Sequence, residues 1–319
     1  GVDEYSLTSG GHCVAVASYA TARQPGFLSL ADIDADGNEE LVILSEDGSH
    51  IEIQRPGERQ GQRTLFRLDQ RAQRLVVADI DNDGRKDILY FGRNMAGVGT
   101  LVGGRYGSFK QGPLLFPETS AGDLVAADLN GDRIMDLVLV QWLSDRLAVY
   151  FGIGQYQFSE QVTLALPGEP GRIAFMPVQR KQVLRFLVTL PANNAVLHVV
   201  GNPAGELVLR DTIPLSGHPG AVSFALVNED QLPDMVVSTT NGLAVALGTT
   251  STTFGPLTLF GAGAGSPSWT LADVDGDRKT DIVLADERDR RIVILGNAQQ
   301  TGLAAWPAEY ATEIGRAHV

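Results

Sequence analysis

An all-β fold of radial four-stranded blades, a β-propeller, is what this sequence predicts. Three observations carry that expectation: an internal repeat of 47 to 49 residues runs through the chain, each repeat reads as short apolar strands separated by turn residues, and no long window shows a helical apolar period. With 319 residues, 44% of them apolar, there is enough chain to bury a large core, and 36 glycines and 15 prolines suit a turn-dense β architecture. No apolar run is long enough for a membrane-spanning helix.

The repeat is anchored by an acidic stretch. Residues 32–41 read Asp-Ile-Asp-Ala-Asp-Gly-Asn-Glu-Glu-Leu, and 79–88 read Asp-Ile-Asp-Asn-Asp-Gly-Arg-Lys-Asp-Ile. Residues 128–137 read Asp-Leu-Asn-Gly-Asp-Arg-Ile-Met-Asp-Leu, and 273–282 read Asp-Val-Asp-Gly-Asp-Arg-Lys-Thr-Asp-Ile. Copies starting at 177 and 226 complete a series of six, spaced 47, 49, 49, 49 and 47 residues apart. The copy at 226 keeps Asn228, Asp230 and Asp234 at the third, fifth and ninth places but has Leu226 at the first. The copy at 177 has Pro177, Gln179, Lys181 and Arg185 at those places, so the acids are gone while the apolar flanks persist.

Each unit is expected to hold four strands. An apolar run precedes the loop (Phe27 to Ala31, Leu75 to Ala78), another follows it (Leu41 to Leu44, Leu137 to Val140), and a third ends in glycine before a hairpin, as at Phe151-Gly152. Trp269 stands four places before Asp273, where Leu28, Leu75 and Leu124 stand in other units, and reads as core. Six blades are expected in this chain and seven in the natural protein. The strand His12 to Ala20, within an N-terminal segment 1–26, is expected to belong to the closing blade, and the propeller repeats to fill 27–312. Residues 313–319 (Glu-Ile-Gly-Arg-Ala-His-Val) resemble a translated sequencing adapter and are expected to be an artefact; the chain also lacks an initiator Met.

Acids at places 1, 3, 5 and 9 of a tight loop bring several carboxylates together, a costly arrangement without a cation. Oxygen-only donors favour a hard ion, and Ca²⁺ over Mg²⁺, which keeps its waters. The expected side-chain ligands are Asp32, Asp34, Asp36 and Glu40 in loop one, and Asp79, Asp81, Asp83 and Asp87 in loop two. Loop three offers Asp128, Asn130, Asp132 and Asp136, and loop six offers Asp273, Asp275, Asp277 and Asp281. The seventh-place carbonyls of Asn38, Arg85, Ile134 and Lys279 are further candidates, giving about four Ca²⁺ ions. An EF-hand is excluded, because it needs Glu at the twelfth place and this chain has Ile43, Tyr90, Leu139 and Leu284 there.

The Asp-x-Asp/Asn-x-Asp-Gly-x-x-Asp signature between strands, with a glycine-terminated strand and hairpin as in Phe91-Gly92 and Phe151-Gly152, resembles the FG-GAP or VCBS repeats of integrin α-subunit propellers and many secreted bacterial proteins. The resemblance implies a β-propeller with Ca²⁺ held in inter-strand loops, in a secreted or cell-surface protein. Two loops depart from the signature: Arg133 and Arg278 replace the glycine found as Gly37 and Gly84, so those loops are expected to bend differently or bind more weakly.

The formal charge of −13 comes from 38 acids and 25 bases, and argues against nucleic acid or an anionic membrane as partner. Setting aside the 15 acids assigned as ligands leaves 23 against 25 bases, so the acidity is local to the loops. Nothing points to nucleophilic catalysis: His12, His50, His198, His218 and His318 are scattered, no Gly-x-Ser-x-Gly is present, and Gly261, Gly263 and Gly265 precede no Lys-Ser/Thr. Cys13 is the lone cysteine and reads as a strand residue; Trp142 and Trp306 read as packed aromatics. The expected function is therefore an extracellular or cell-surface calcium-binding module for a protein or glycan, with structural Ca²⁺. A propeller domain of a secreted carbohydrate-active enzyme, or a lectin, is the alternative.

Overall fold

The computed structural model describes residues 1–7, 13–56, 63–159, 162–176, 183–204, 206–228, 230–250, 252–260, 268–274, 278–286, 291–298, 302–305 and 310–311. Asp275, Asp277, the loop at 177–182, Gly261 to Gly265, Trp306, His12, His318 and the segment 313–319 lie outside these residues.

Two strands, β1 (Val2–Leu7) and β2 (Cys13–Tyr19), pair antiparallel with each other. Six four-stranded antiparallel sheets follow, arranged as the blades of a propeller. Blade one holds β3 (Pro25–Ala31), β4 (Glu40–Ser45), β5 (His50–Gln54) and β6 (Arg63–Arg67); blade two holds β7 (Arg74–Ala78), β8 (Asp87–Phe91), β9 (Gly99–Gly103) and β10 (Phe109–Gln111). Blade three holds β11 (Ala121–Ala127), β12 (Asp136–Gln141), β13 (Arg146–Tyr150) and, beyond a small hairpin of β14 (Gly152–Gly154) and β15 (Gln157–Phe158), β16 (Val162–Ala165). Blade four holds β17 (Ile173–Met176), β18 (Leu184–Leu190), β19 (Ala195–Gly201) and β20 (Leu207–Pro214). Blade five holds β21 (Pro219–Ala225), β22 (Asp234–Thr239), β23 (Gly242–Thr250) and β24 (Thr253–Phe260). Blade six holds β25 (Ser268–Ala272), β26 (Asp281–Asp286), β27 (Arg291–Ala298) and β28 (Gly302–Ala305), with β29 (Tyr310–Ala311) also on β27. Among the described residues no helix is long and apolar enough to cross a membrane.

The first strand of blades one to five is the innermost, since β3, β7, β11, β17 and β21 contact one another in sequence around the ring. The second strand is buried on both faces, which explains its near-continuous apolar run. In β12, Leu137 and Leu139 pack toward blade two while Val138 and Val140 pack toward blade four. Period-two alternation thus serves two cores at once. Each core lies between neighbouring blades: Leu44 and Ile51 meet Ile88 and Tyr90, and Val236 and Val245 meet Ile282 and Leu295. Trp269 packs against the latter core. Burying a side chain such as Phe186 or Leu139, both 0% exposed, contributes about 1.5–3 kcal/mol.

Candidate metal centre

The acidic loops join the innermost strand of a blade to the second. In loop one, two loop amides converge on the first acid: Asp36 N–H donates to Asp32 Oδ1 (3.1 Å) and Gly37 N–H to Asp32 Oδ2 (3.0 Å). Loop two repeats this with Asp83 N–H and Gly84 N–H on Asp79 (3.1 and 2.9 Å), and loop three with Asp132 N–H and Arg133 N–H on Asp128 (3.1 and 2.9 Å). In loop six, Arg278 N–H donates to Asp273 Oδ2 (2.9 Å). The fifth acid accepts the amide two residues on in loops one, two and three.

Arg133 and Arg278 do not change the bend. Place six takes positive φ whatever residue stands there: Gly37 88°, Gly84 85°, Arg133 70°, Gln231 61° and Arg278 66°. The expected difference in shape is therefore corrected. The positive φ persists in blade five, where Leu226 gives the sixth amide no first acid to meet, so the tight turn itself sets this conformation and outweighs the roughly 1–2 kcal/mol that a side chain costs in the left-handed region.

The ninth acid has a separate task. In blade two, Ile80 N–H donates to Asp87 Oδ2 (3.0 Å) and Gly103 N–H to Asp87 Oδ1 (2.8 Å). Leu129 and Gly152 do the same to Asp136, and Val227 and Gly248 to Asp234. These buried carboxylates tie the start of the loop to the end of the third strand. Burial pushes the carboxyls of Asp87, Asp136 and Asp234 up, against the pull of the two amides. The glycine that ends the third strand is required by close approach: a Cβ on Gly103 would lie 2.1 Å from the Lys86 carbonyl oxygen, and one on Gly152 would lie 2.3 Å from that of Met135.

Blade one departs from this plan. Strand register places Pro56 where Gly103, Gly152 and Gly248 stand, and proline has no N–H to give. Glu40 replaces the aspartate; Oε2 accepts Ile33 N–H (2.9 Å) while Oε1 accepts Arg55 Nε (2.9 Å) and Nη2 (2.7 Å). The same guanidinium donates to Asp34 Oδ2 (2.8 Å) and lies 3.3 Å from Asp36 Oδ2. Arg55 is a charge partner of loop one that the loop motif alone does not reveal. The available signal was the repeat alignment, which sets Arg55-Pro56 against Val102-Gly103 and Phe151-Gly152.

Two carboxylate groups have oxygens lying within 4.8 Å of one another: Asp32, Asp34 and Asp36, and Asp79, Asp81 and Asp87. In the first, Asp34 Oδ1 is buried with no hydrogen-bond partner among the described residues. In the second, Arg85 pairs with Asp83, and no base pairs with Asp79, Asp81 or Asp87 among the described residues. Burial and then the neighbouring Asp87 and Asp83 raise the Asp81 carboxyl. The Tyr156 hydroxyl, from the β14–β15 hairpin of the next blade, faces the same carboxylates; burial and Asp87 push it above its ordinary range. In loop three the third place is amidic, and Asn130 Nδ2 donates to Asp132 Oδ2 (2.9 Å), as Asn228 Nδ2 does to Asp230 Oδ2 (3.0 Å) in blade five. Arg185 of blade four occupies the ninth place, 4% exposed, and its Nε has no hydrogen-bond partner among the described residues.

The family described as FG-GAP-like repeat matches residues 32–90 and 227–309. These matches and the six-blade architecture together support an FG-GAP repeat propeller. The first match takes in loops one and two; the second takes in blade five's loop and loop six. No curated protein matches the sequence. Solved structures similar to this FG-GAP propeller include one of a Lactobacillus plantarum protein, 14% identical with a TM-score of 0.72, covering 98% of this chain and 92% of that one. A functionally unknown protein of Desulfotomaculum acetoxidans DSM 771 is 11% identical with a TM-score of 0.61, over 93% and 90% of the two chains. BBS1N, crystallised in complex with ARL6DN, is 15% identical with a TM-score of 0.60, over 91% and 83%. At these identities the likeness is one of fold.

Proposed function

We propose that this FG-GAP propeller is a calcium-stabilised binding module, secreted or at the cell surface, that recognises a protein or glycan. The observation that carries the reading is the group Asp79, Asp81 and Asp87, whose oxygens converge without a pairing base and whose Asp81 and Asp87 carboxyls are pushed up by burial and mutual repulsion. A hard cation relieves that repulsion, and an oxygen-only donor set suits Ca²⁺. The Asp34 Oδ1 atom supports the same role for Asp32, Asp34 and Asp36, with Arg55 as a competitor. Asp128, Asn130, Asp132 and Asp136, and Asp273 to Asp281, would hold the remaining ions more weakly or equally according to their charge. The ions are structural: they sit in loops that fasten blades, where the first acid is already engaged by loop amides. BBS1N with its protein partner supports protein recognition by a propeller of this shape.

At a dissociation constant of about 0.1 mM and about 1 mM free Ca²⁺, each site adds roughly 1.4 kcal/mol of stability. Thermal unfolding with calcium against EDTA, with calorimetric counting of ions, tests this reading. A calcium-dependent rise in melting temperature that shrinks in Asp79→Ala and Asp273→Ala is expected; identical melting in both buffers would overturn it.

A further inference from the structure

The innermost strands enter the ring at the end opposite the acidic loops. Six places before each loop, blades three, four and five carry Gly122, Gly171 and Gly220, and blade two carries Gln73. With Arg93 from the β8–β9 turn and Arg172 before β17, these residues line a single cavity of about 500 Å³. Gly171 is required by close approach, since a Cβ there would lie 2.6 Å from Thr189 Oγ1.

Both arginines are held from behind. The Arg93 amide donates to Gln73 Oε1 (3.1 Å), its carbonyl accepts Trp142 Nε1 (3.1 Å), and its guanidinium lies 5.2 Å from the Trp142 ring centroid. The Arg172 amide donates to Thr189 Oγ1 (2.7 Å). Neither guanidinium makes an ion pair among the described residues, although the chain carries a formal charge of −13. One position deeper, Asp123 accepts Ile173 N–H (3.0 Å) and has Arg74 as its charge partner. Arg93 and Arg172 thus both line this cavity with no ion-pair partner among the described residues.

We propose that this channel mouth binds a small polar monocarboxylate, with Arg93 and Arg172 on the carboxylate and Gln73 on its neutral polar groups. The planar fork of a guanidinium matches a carboxylate. The volume lies in the range of small-ligand sites. Two positive groups, with Arg74 already matched by Asp123, are enough charge to hold one small anion and too little for a polyanion. The assignment rests on nothing in the acidic loops, so its failure and that of the calcium reading are separate events.

The test is titration of the full chain with D-glucuronate, D-glucose and inorganic phosphate, followed by tryptophan fluorescence and by calorimetry, with and without calcium. Saturable glucuronate binding, no glucose binding, and a loss of roughly tenfold or more in Arg93→Gln and in Arg172→Gln are expected, with unchanged melting temperatures. No saturable binding, affinity unmoved by both substitutions, or phosphate binding tighter than glucuronate would each overturn the proposal.

Discussion

Loops one and two read almost alike, Asp-Ile-Asp-Ala-Asp-Gly against Asp-Ile-Asp-Asn-Asp-Gly, yet they solve the same electrostatic problem differently. Loop two leaves Asp79, Asp81 and Asp87 facing one another, whereas loop one draws the Arg55 guanidinium onto Asp34, Asp36 and Glu40. The cause sits outside the motif. Pro56 removes the amide that would have satisfied the ninth acid, and the longer Glu40 reaches the neighbouring arginine instead. One backbone donor lost in the third strand turns a group of carboxylates into a partly closed salt-bridge network.

The most damaging way to break this comparison is Asp87→Ala, which strands the buried amides of Ile80 and Gly103. A loss of about 3–4 kcal/mol in urea unfolding is expected, even with calcium chelated, because the amides rather than the ion set the cost. A ligand-only role for Asp87 would instead make the loss vanish in EDTA.

Blade four supplies the contrasting charge. Arg185 stands at the ninth place, and its neighbour His198 is 1% exposed, with its imidazole pushed down to about 4 by burial and then by Arg185. A histidine with a lowered folded value is neutral in the fold while the unfolded chain takes up a proton near 6.5. Stability therefore falls as pH drops from about 6.5 toward 4, by on the order of 2–3 kcal/mol for this group. Melting temperatures of the natural chain and His198→Leu should converge or cross over that window; parallel curves would dismiss the histidine as the source.

Arg55→Ala sharpens the contrast between the two loops themselves. It frees Asp34, Asp36 and Glu40, so the variant should melt lower in EDTA and gain more from calcium than the natural chain does. An unchanged calcium increment would show that Arg55 and the ion do not compete. The smallest effect is expected from Arg133→Gly, which relieves positive φ in loop three while keeping the amide on Asp128. A gain near 0.5–1 kcal/mol should appear in chemical denaturation.

The blades were legible because their period-two apolar runs and turn residues repeat six times, so local pattern and global architecture agree. The acids at places 1, 3 and 5 were legible as a loop for the same reason. The motif offers Asp87 and Asp136 as ligands but does not show that these two and Asp234 each hold two backbone amides from segments some 7 and 14 to 16 residues away. That role depends on strand register, which a motif does not encode. Arg133 points the other way: a side chain that disfavours the left-handed region suggests a different bend, but the tight turn between the two strands dictates the backbone, as it does at Gln231, where no first acid stands. The arginines at the channel mouth come from different blades and different repeat positions, and only the packing of the innermost strands side by side brings them together.

The buried ninth acid also divides the molecule by timescale. The amides of Gly103, Gly152 and Gly248 are locked to carboxylates inside the ring, while the amides of places five and six sit on exposed turns a few residues away. Solvent deuterium should therefore enter the loop tips long before it reaches those glycines. The ring would behave as a stiff wheel with compliant loops on one face, and an ion could arrive at or leave those loops without any blade parting from its neighbour.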